Sequence, residues 1–293
     1  MDTGPATELF DPPVEVVEPA TLDAPVVFAS PHSGSQYPPG FVAAARLDPL
    51  MLRRSEDAFV DALFGAAPAL GMPLLRARFP RAYLDPNREP WELDPGMFDG
   101  ELPEFVNRAS PRATAGLGTI ARVVASGAEI YRDKLPFAEA KRRVDLLYLP
   151  YHARLEALMA RAQEGWKQAL LIDCHSMPSI GGPMDRDAGR RRVDFVLGDC
   201  HGAACAPGVA RLVETTLKDL GYAIARNDPY AGGHTTRHYG RPAKGRHALQ
   251  VEINRALYMD ELRIERKPYF ATLERDLARL IAALGDHARA GFA

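Results

Sequence analysis

The chain has 293 residues, 46% hydrophobic and 25% charged, which is enough for a sizeable core in one large α/β domain or in a domain with an appended lobe. Its 36 basic and 38 acidic side chains give a formal charge of −2, so no broad electrostatic footprint for nucleic acid is present. No apolar run approaches the ~18 residues of a membrane span. The first ten residues lack the basic and apolar stretches of a secretory signal, and Cys174, Cys200 and Cys205 are too few and too scattered for a disulfide framework or zinc ribbon. The expectation is a reduced, cytoplasmic globular protein with neither membrane nor nucleic acid as partner, its oligomeric state left open.

In chain order, residues 24–32 read as a buried strand, a short apolar run ended by Pro31 and Gly34. Asp48 is placed to cap a helix that begins at Pro49 and runs to Leu70, where Gly71 stops it. Residues 73–79 and 82–84 look like strand segments. A Pro- and Gly-rich stretch without periodicity follows over 85–122; a loop of that length in a compact domain is expected to be functional or mobile, and it could cover the site.

Residues 136–165 carry the longest helical pattern, with Val144, Leu147, Tyr151, Leu155 and Leu158 at three- and four-residue steps. Strands are expected at 169–175, 193–197, 222–225 and 248–253, and helices at 207–220 and 269–287. Apolar strands alternating with helices imply one three-layer α/β domain over 1–293, with a mostly parallel mixed sheet covered by helices on both faces. Ligands in such folds bind beyond the carboxyl ends of the strands.

Several polar residues stand at those ends. His32 closes the first strand in SPHSG, and His175 closes another in DCHSM, where alternation puts Asp173 and His175 on one face and Cys174 on the other. Two strand-end histidines with a carboxylate would make a catalytic zinc site with one open position, though cobalt, iron or manganese could also occupy it. Glu56 and Asp57 both border apolar surface on the expected first helix, and helical spacing does not choose between them. Glu252, flanked by Val251 and Ile253, is costly to ionise in a buried strand unless it is paired or near a metal, a placement that suits a general base.

Arg88 in the run Asp85-Pro86-Asn87-Arg88 could clamp an acidic substrate bidentately, or pair with Glu89 or Glu92. The segment GGHTTRHYG, residues 232–240, reads as a glycine-bracketed polar loop without the spacing of a phosphate cradle. Arg190-Arg191-Arg192 reads as a solvated loop. No G-x-S-x-G elbow is present, and no cysteine is placed as a nucleophile.

Six segments in order, SPHSG with Tyr37-Pro38, RRSEDAFVDALF, RAYLDPNR, DCHSM, GGHTTRHYGRP and HALQVEIN, resemble the N-formylglutamate amidohydrolase (N-formylglutamate deformylase) family over residues 26–254. The layout is more distantly similar to zinc carboxypeptidases and aspartoacylase-type deacylases, a phosphorylase/hydrolase-like arrangement. The resemblance implies that His32, Asp57 and His175 hold one Zn2+ per chain. It prefers Asp57 to Glu56, because the family's acidic residue stands seven positions before the aromatic matching Phe64. It makes Glu252 the general base and gives Arg81 a role in polarising the scissile carbonyl.

By the same resemblance, Asn87 and Arg88 take the substrate carboxylate and Arg237 a second one. Pro86 departs from the leucine common in relatives and, lacking an N–H, bears on how Asn87 and Arg88 are presented. The implied reaction is metal-dependent hydrolysis of N-formyl-L-glutamate, a small anionic N-acyl amino acid, to formate and L-glutamate in histidine degradation. The rival expectations are another N-acyl amino acid, a peptide or a cell-wall amide as substrate, or a non-catalytic protein that binds an acidic ligand.

Overall fold

The continuous apolar runs become the strands of one mixed seven-stranded sheet in the computed structural model, which describes residues 10–183 and 185–292. The strands are β1 (Val14–Val17), β2 (Val26–Ser30), β3 (Leu74–Ala77), β4 (Ala169–Met177), β5 (Phe195–Gly198), β6 (Ile224–Arg226) and β7 (Arg246–Asn254). Their order across the sheet is β1-β3-β2-β4-β7-β5-β6. β2 runs parallel to β3 and β4, β4 parallel to β7, and β5 parallel to β6, while β5 and β7 pair antiparallel. The register sets Ala29 opposite Asp173, His175 opposite Glu252, and Glu252 opposite Val196.

The chain divides into two compact units. One holds Val16–Ser30, Asp57–Arg76 and the chain from Arg154 onward, and with them nearly all of the sheet. Within it, Leu170, Ile172 and Cys174 of β4 and Leu249, Val251 and Ile253 of β7 enter a single apolar core. Helices α2 (Val60–Leu63), α5 (Pro207–Asp219) and α7 (Phe270–Ala290) close that core, with Leu63, Val213, Leu277 and Ile281 fully buried. Each such side chain contributes about 1.5–3 kcal/mol on leaving water. The alternate residues, Asp173, His175, Gln250 and Glu252, occupy the opposite face of the sheet, so the period-two pattern separates core from chemistry.

The second unit holds Pro31–Glu56 and Ala77–Ala153 together with the described residues before Val16. It includes α1 (Pro49–Leu52) and α3 (Phe137–Arg143), and α4 (Leu149–Trp166) begins in it. It contains the buried Arg143. That guanidinium lies over the Tyr83 ring at 3.7 Å and donates to the Tyr83 carbonyl (2.9 Å) and the Tyr131 hydroxyl (2.6 Å). The 85–122 stretch forms only short pieces, such as the turn of helix over Pro111–Thr114 capped by Ser110. Backbone bonds pin it nonetheless: Thr119 accepts from the Asp85 amide and donates to the Glu92 carbonyl, each at 2.8 Å.

Four local expectations differ from the structure. The helix expected over 49–70 breaks into α1, a 3-10 turn at Arg53–Ser55, α2 and a 3-10 turn at Pro68–Leu70, with Glu56 extended and Phe59 left-handed at φ 67°. Residues 82–84 turn instead of extending, because the Pro80 carbonyl accepts from the amides of both Tyr83 and Leu84. The polar segment after Gly233 is a short helix, α6 (His234–Tyr239).

Arg192 is no solvated residue: its side chain is 1% exposed and paired with Asp185 and Asp187, each at 2.7 Å. The remaining strands and the helices at 137–166, 207–219 and 270–290 fall where the patterns place them. Among the described residues no helix is long and apolar enough to cross a membrane.

Candidate metal centre and active site

On the polar face of the sheet, β4 delivers His175 between two carboxylates. Its Nδ1 lies 3.0 Å from Asp57 Oδ2 and its Nε2 lies 2.9 Å from Asp173 Oδ1, two residues back on the same strand face. The break before α2 is what brings Asp57 here. A buried carboxylate must be paired, and the pairing prevails over helix continuity at this point. Arg255, just beyond β7, donates from Nη2 to Asp57 Oδ1 (2.9 Å) and from Nε to the Ser176 hydroxyl (3.1 Å). All five of these side chains are buried.

Burial by itself would lower the His175 imidazole. The carboxylates of Asp173, Asp57 and Glu252 overcome it and hold the ring well above its ordinary value. Glu252 stands opposite His175 in the β4–β7 register and accepts from Gln250 Nε2 at 2.7 Å. Glu56 lies elsewhere, taking a fork of hydrogen bonds at 3.0–3.2 Å from Arg53. Of the two adjacent acids, Asp57 is therefore the one that meets a histidine.

In the other unit His32, buried two residues beyond β2, places Nε2 2.7 Å from Asp85 Oδ1. Asp85 is the centre of this group. It also accepts from the Asn87 amide (2.8 Å) and from Arg81 Nε (3.1 Å), and it lies 3.6 Å from Arg88 Nη2. Burial would raise its carboxyl, but Arg88, Arg81 and His32 hold it well below the usual carboxylate range. The buried Arg88 donates from Nε to the Leu117 carbonyl and from Nη1 to the Asn87 carbonyl, each at 2.9 Å. Burial pushes that guanidinium down to about 10 against the opposing charge of Asp85.

Arg88 thus pairs with Asp85 rather than with Glu89. Arg81, Asn87 and Arg88 are gathered around one aspartate. Arg237 sits on α6 with an exposed side chain whose Nη1 donates to the Gly232 carbonyl at 3.2 Å.

Among the described residues, His32, Asp57 and His175, all buried, are the candidate metal-ligand group. The donor chemistry fits a divalent ion, because each histidine has Nε2 braced by a buried aspartate, Asp85 for His32 and Asp173 for His175. Such outer carboxylates fix the tautomer and orientation of a metal-binding imidazole. Sequence reading did not assign Asp85, Asp173 or Arg255 a role. A signal existed for two of them: the Asp-x-His spacing of 173–175 on one strand face, and the position of Asp85 two residues before Asn87. Arg255 had none, since its partner Asp57 is 198 residues away.

Sheet and donor groups together define an α/β protein with a candidate metal centre at strand ends. The family model for N-formylglutamate amidohydrolase matches residues 24–259. An N-formylglutamate deformylase from Pseudomonas putida is 31% identical over 263 residues, covering 87% of each chain. Another from Pseudomonas aeruginosa is 31% identical over 240 residues, covering 81% of this chain and 83% of its own. The crystal structure of N-formylglutamate amidohydrolase from Ralstonia eutropha JMP134 is 40% identical with a TM-score of 0.88, covering 96% of this chain and 99% of that one. The chain belongs to the N-formylglutamate amidohydrolase family, and its mixed sheet with helices on both sides is the fold of that structure.

Proposed function

We propose that this protein is a metal-dependent amidohydrolase that cleaves N-formyl-L-glutamate to formate and L-glutamate. The observation that carries the metal reading is the paired bracing of His32 by Asp85 at 2.7 Å and of His175 by Asp173 at 2.9 Å. The deformylases at 31% identity support the substrate. His32, Asp57 and His175 would hold the ion, and two imidazoles with one carboxylate suit zinc while also accepting cobalt, iron or manganese. When bound, a zinc ion supplies Lewis acidity and brings a water's pKa from 15.7 toward about 7.

The chain's own residues do the rest. Glu252 takes the proton from the attacking water at a carboxylate oxygen, and Gln250 orients that carboxylate through the other side of the hydrogen bond at Oε1. The same proton then passes to the leaving nitrogen as the amide bond breaks. Arg81 faces the oxygen on which charge develops; one well-placed donor of this kind contributes about 3–4 kcal/mol in other enzymes. Asn87 and Arg88 take one substrate carboxylate and Arg237 the second. The three cysteines are unpaired, with Cys174 and Cys205 buried, which suits a reducing compartment, so the reading places the reaction in the cytoplasm.

Elemental analysis combined with a formate-release assay tests the proposal. The expected result is about one metal per chain and formate release from N-formyl-L-glutamate that chelation abolishes and zinc restores. Glu252→Gln should keep the metal and lose turnover. Metal without formate release would move the substrate to another N-acyl amino acid. No metal under any reconstitution would refute the roles given to His32, Asp57 and His175.

A further inference from the structure

The run Asp85-Pro86-Asn87-Arg88 lies in no strand or helix, so no ladder of backbone bonds fixes its shape. The Asp85 amide donates to the Thr119 carbonyl and the Asn87 amide to Asp85 Oδ1, and two side chains from one helix add to these bonds. The Tyr148 hydroxyl donates to the Arg88 carbonyl at 2.8 Å, and His152 Nε2 lies 2.9 Å from the Pro86 carbonyl. Tyr148 and His152 stand one turn apart and pack ring on ring, with centroids 4.3 Å apart. Both belong to the same unit as the run they hold.

The helix is adapted to this task. Between α3 and α4 it carries a π-helical stretch, Val144–Tyr148, closed by the Leu149 amide bonding back to the Val144 carbonyl. One extra residue in a turn rotates everything after it by roughly 100° relative to an uninterrupted α-helix. That rotation sets the face on which Tyr148 and His152 stand. The clamp also answers the proline at position 86, which has no N–H to offer and is hydrogen-bonded at its carbonyl. Residue 88 is then fixed from both sides, its carbonyl by Tyr148 and its guanidinium by the Asn87 and Leu117 carbonyls.

We infer that Tyr148 and His152 are positioning residues that set the orientation of Asn87 and Arg88 toward the substrate carboxylate. The inference rests on the reading of those two residues as the carboxylate pair. A guanidinium aimed at a planar carboxylate is sensitive to misplacement of an ångström, so slack in the run appears as weaker substrate binding while the proton transfers at Glu252 are untouched.

Steady-state kinetics of the metal-loaded enzyme on N-formyl-L-glutamate tests this, with metal content measured alongside. Tyr148→Phe removes one hydroxyl, and His152→Phe keeps the ring and removes the donor. Each is expected to raise KM about 5-fold, the worth of one such hydrogen bond. The same variants should leave kcat within about twofold, with metal content unchanged. His152→Gln, whose amide can still donate to the Pro86 carbonyl, should restore most of the loss.

If the clamp acts through Arg88, Tyr148→Phe should add no further rise in KM to an Arg88→Lys enzyme. Unchanged KM in both phenylalanine variants, or an equal rise in the Arg88→Lys background, overturns the clamp alone. A KM in the Arg88→Lys enzyme itself equal to the parent's refutes the reading of the carboxylate pair, and the clamp falls with it.

Discussion

Replacing Asp85 by asparagine keeps the shape of the side chain and removes its charge, and the structure sets the size of the consequence. Asp85 faces His32 Nε2 at 2.7 Å, Arg81 Nε at 3.1 Å and Arg88 Nη2 at 3.6 Å, with the Asn87 amide at 2.8 Å. Asparagine can still accept from the Asn87 amide, so that bond survives. Arg88, whose side chain is 7% exposed, loses its charge partner in a buried setting, which costs about 3 kcal/mol, at the low end for breaking a buried pair.

Arg81 is 27% exposed, so its share is screened by solvent and stays below about 1 kcal/mol. The expected loss of folding stability is therefore about 3–4 kcal/mol, a large part of the 5–15 kcal/mol typical of a folded protein. On the proposed function, the second consequence falls on metal binding. Losing the carboxylate that braces His32 should weaken affinity by about 10–100-fold. Urea denaturation of the metal-free protein reads the first quantity, and competition with a chelator of known affinity reads the second. A variant with parental stability and parental metal affinity would refute the view that Asp85 organises His32, Arg81 and Arg88.

Three further outcomes follow from the same geometry. Arg192→Met should cost about 1–3 kcal/mol in urea denaturation, because it removes the shared partner of Asp185 and Asp187, which water still reaches; a change within about 0.5 kcal/mol would fit a solvated loop instead. Glu139 would be raised by burial, but Arg142 and Arg143 hold it below its ordinary value. Because the folded value is depressed, its stabilisation is present above the unfolded value of about 4.3 and is lost as pH falls through the folded one. The stability difference between parent and Glu139→Gln should therefore close on acidification, and a gap that widened would reverse the sign of the argument. Gly232→Ala places a methyl group 2.8 Å from Cys200 Sγ at a φ of +120°, so a loss of about 1–3 kcal/mol is expected by thermal or urea unfolding.

The alternation in 169–175 was enough to set Asp173 and His175 on one face and Cys174 on the other, and the sheet keeps that division; the register with β7 is what adds Glu252 to the same face. The long helix at 137–166 and the closing helix were legible from three- and four-residue spacing for the same reason: each depends on neighbours within a few residues. The order of the six matching segments was enough to indicate the family. Local pattern misled where a distant partner prevailed. The segment 49–70 has the spacing of one helix, yet it breaks at Glu56–Phe59 because Asp57 is claimed by His175, 118 residues away, and by Arg255, 198 residues away. Arg192 looked solvated beside two other arginines until its aspartates folded over it.

The sequence by itself determined the α/β class, the positions of most strands and the residue types able to bind a metal and an acidic substrate, since composition and short-range periodicity are properties of the chain alone. Only the tertiary structure decided that Asp57 rather than Glu56 meets a histidine, that Asp85 and Asp173 brace the two imidazoles, and that Tyr148 and His152 meet the Arg88 and Pro86 carbonyls. Those pairings arise when burial strips water from charged groups and forces each to find a partner, and the partner within reach is set by strand order and chain reversal, which no local spacing encodes.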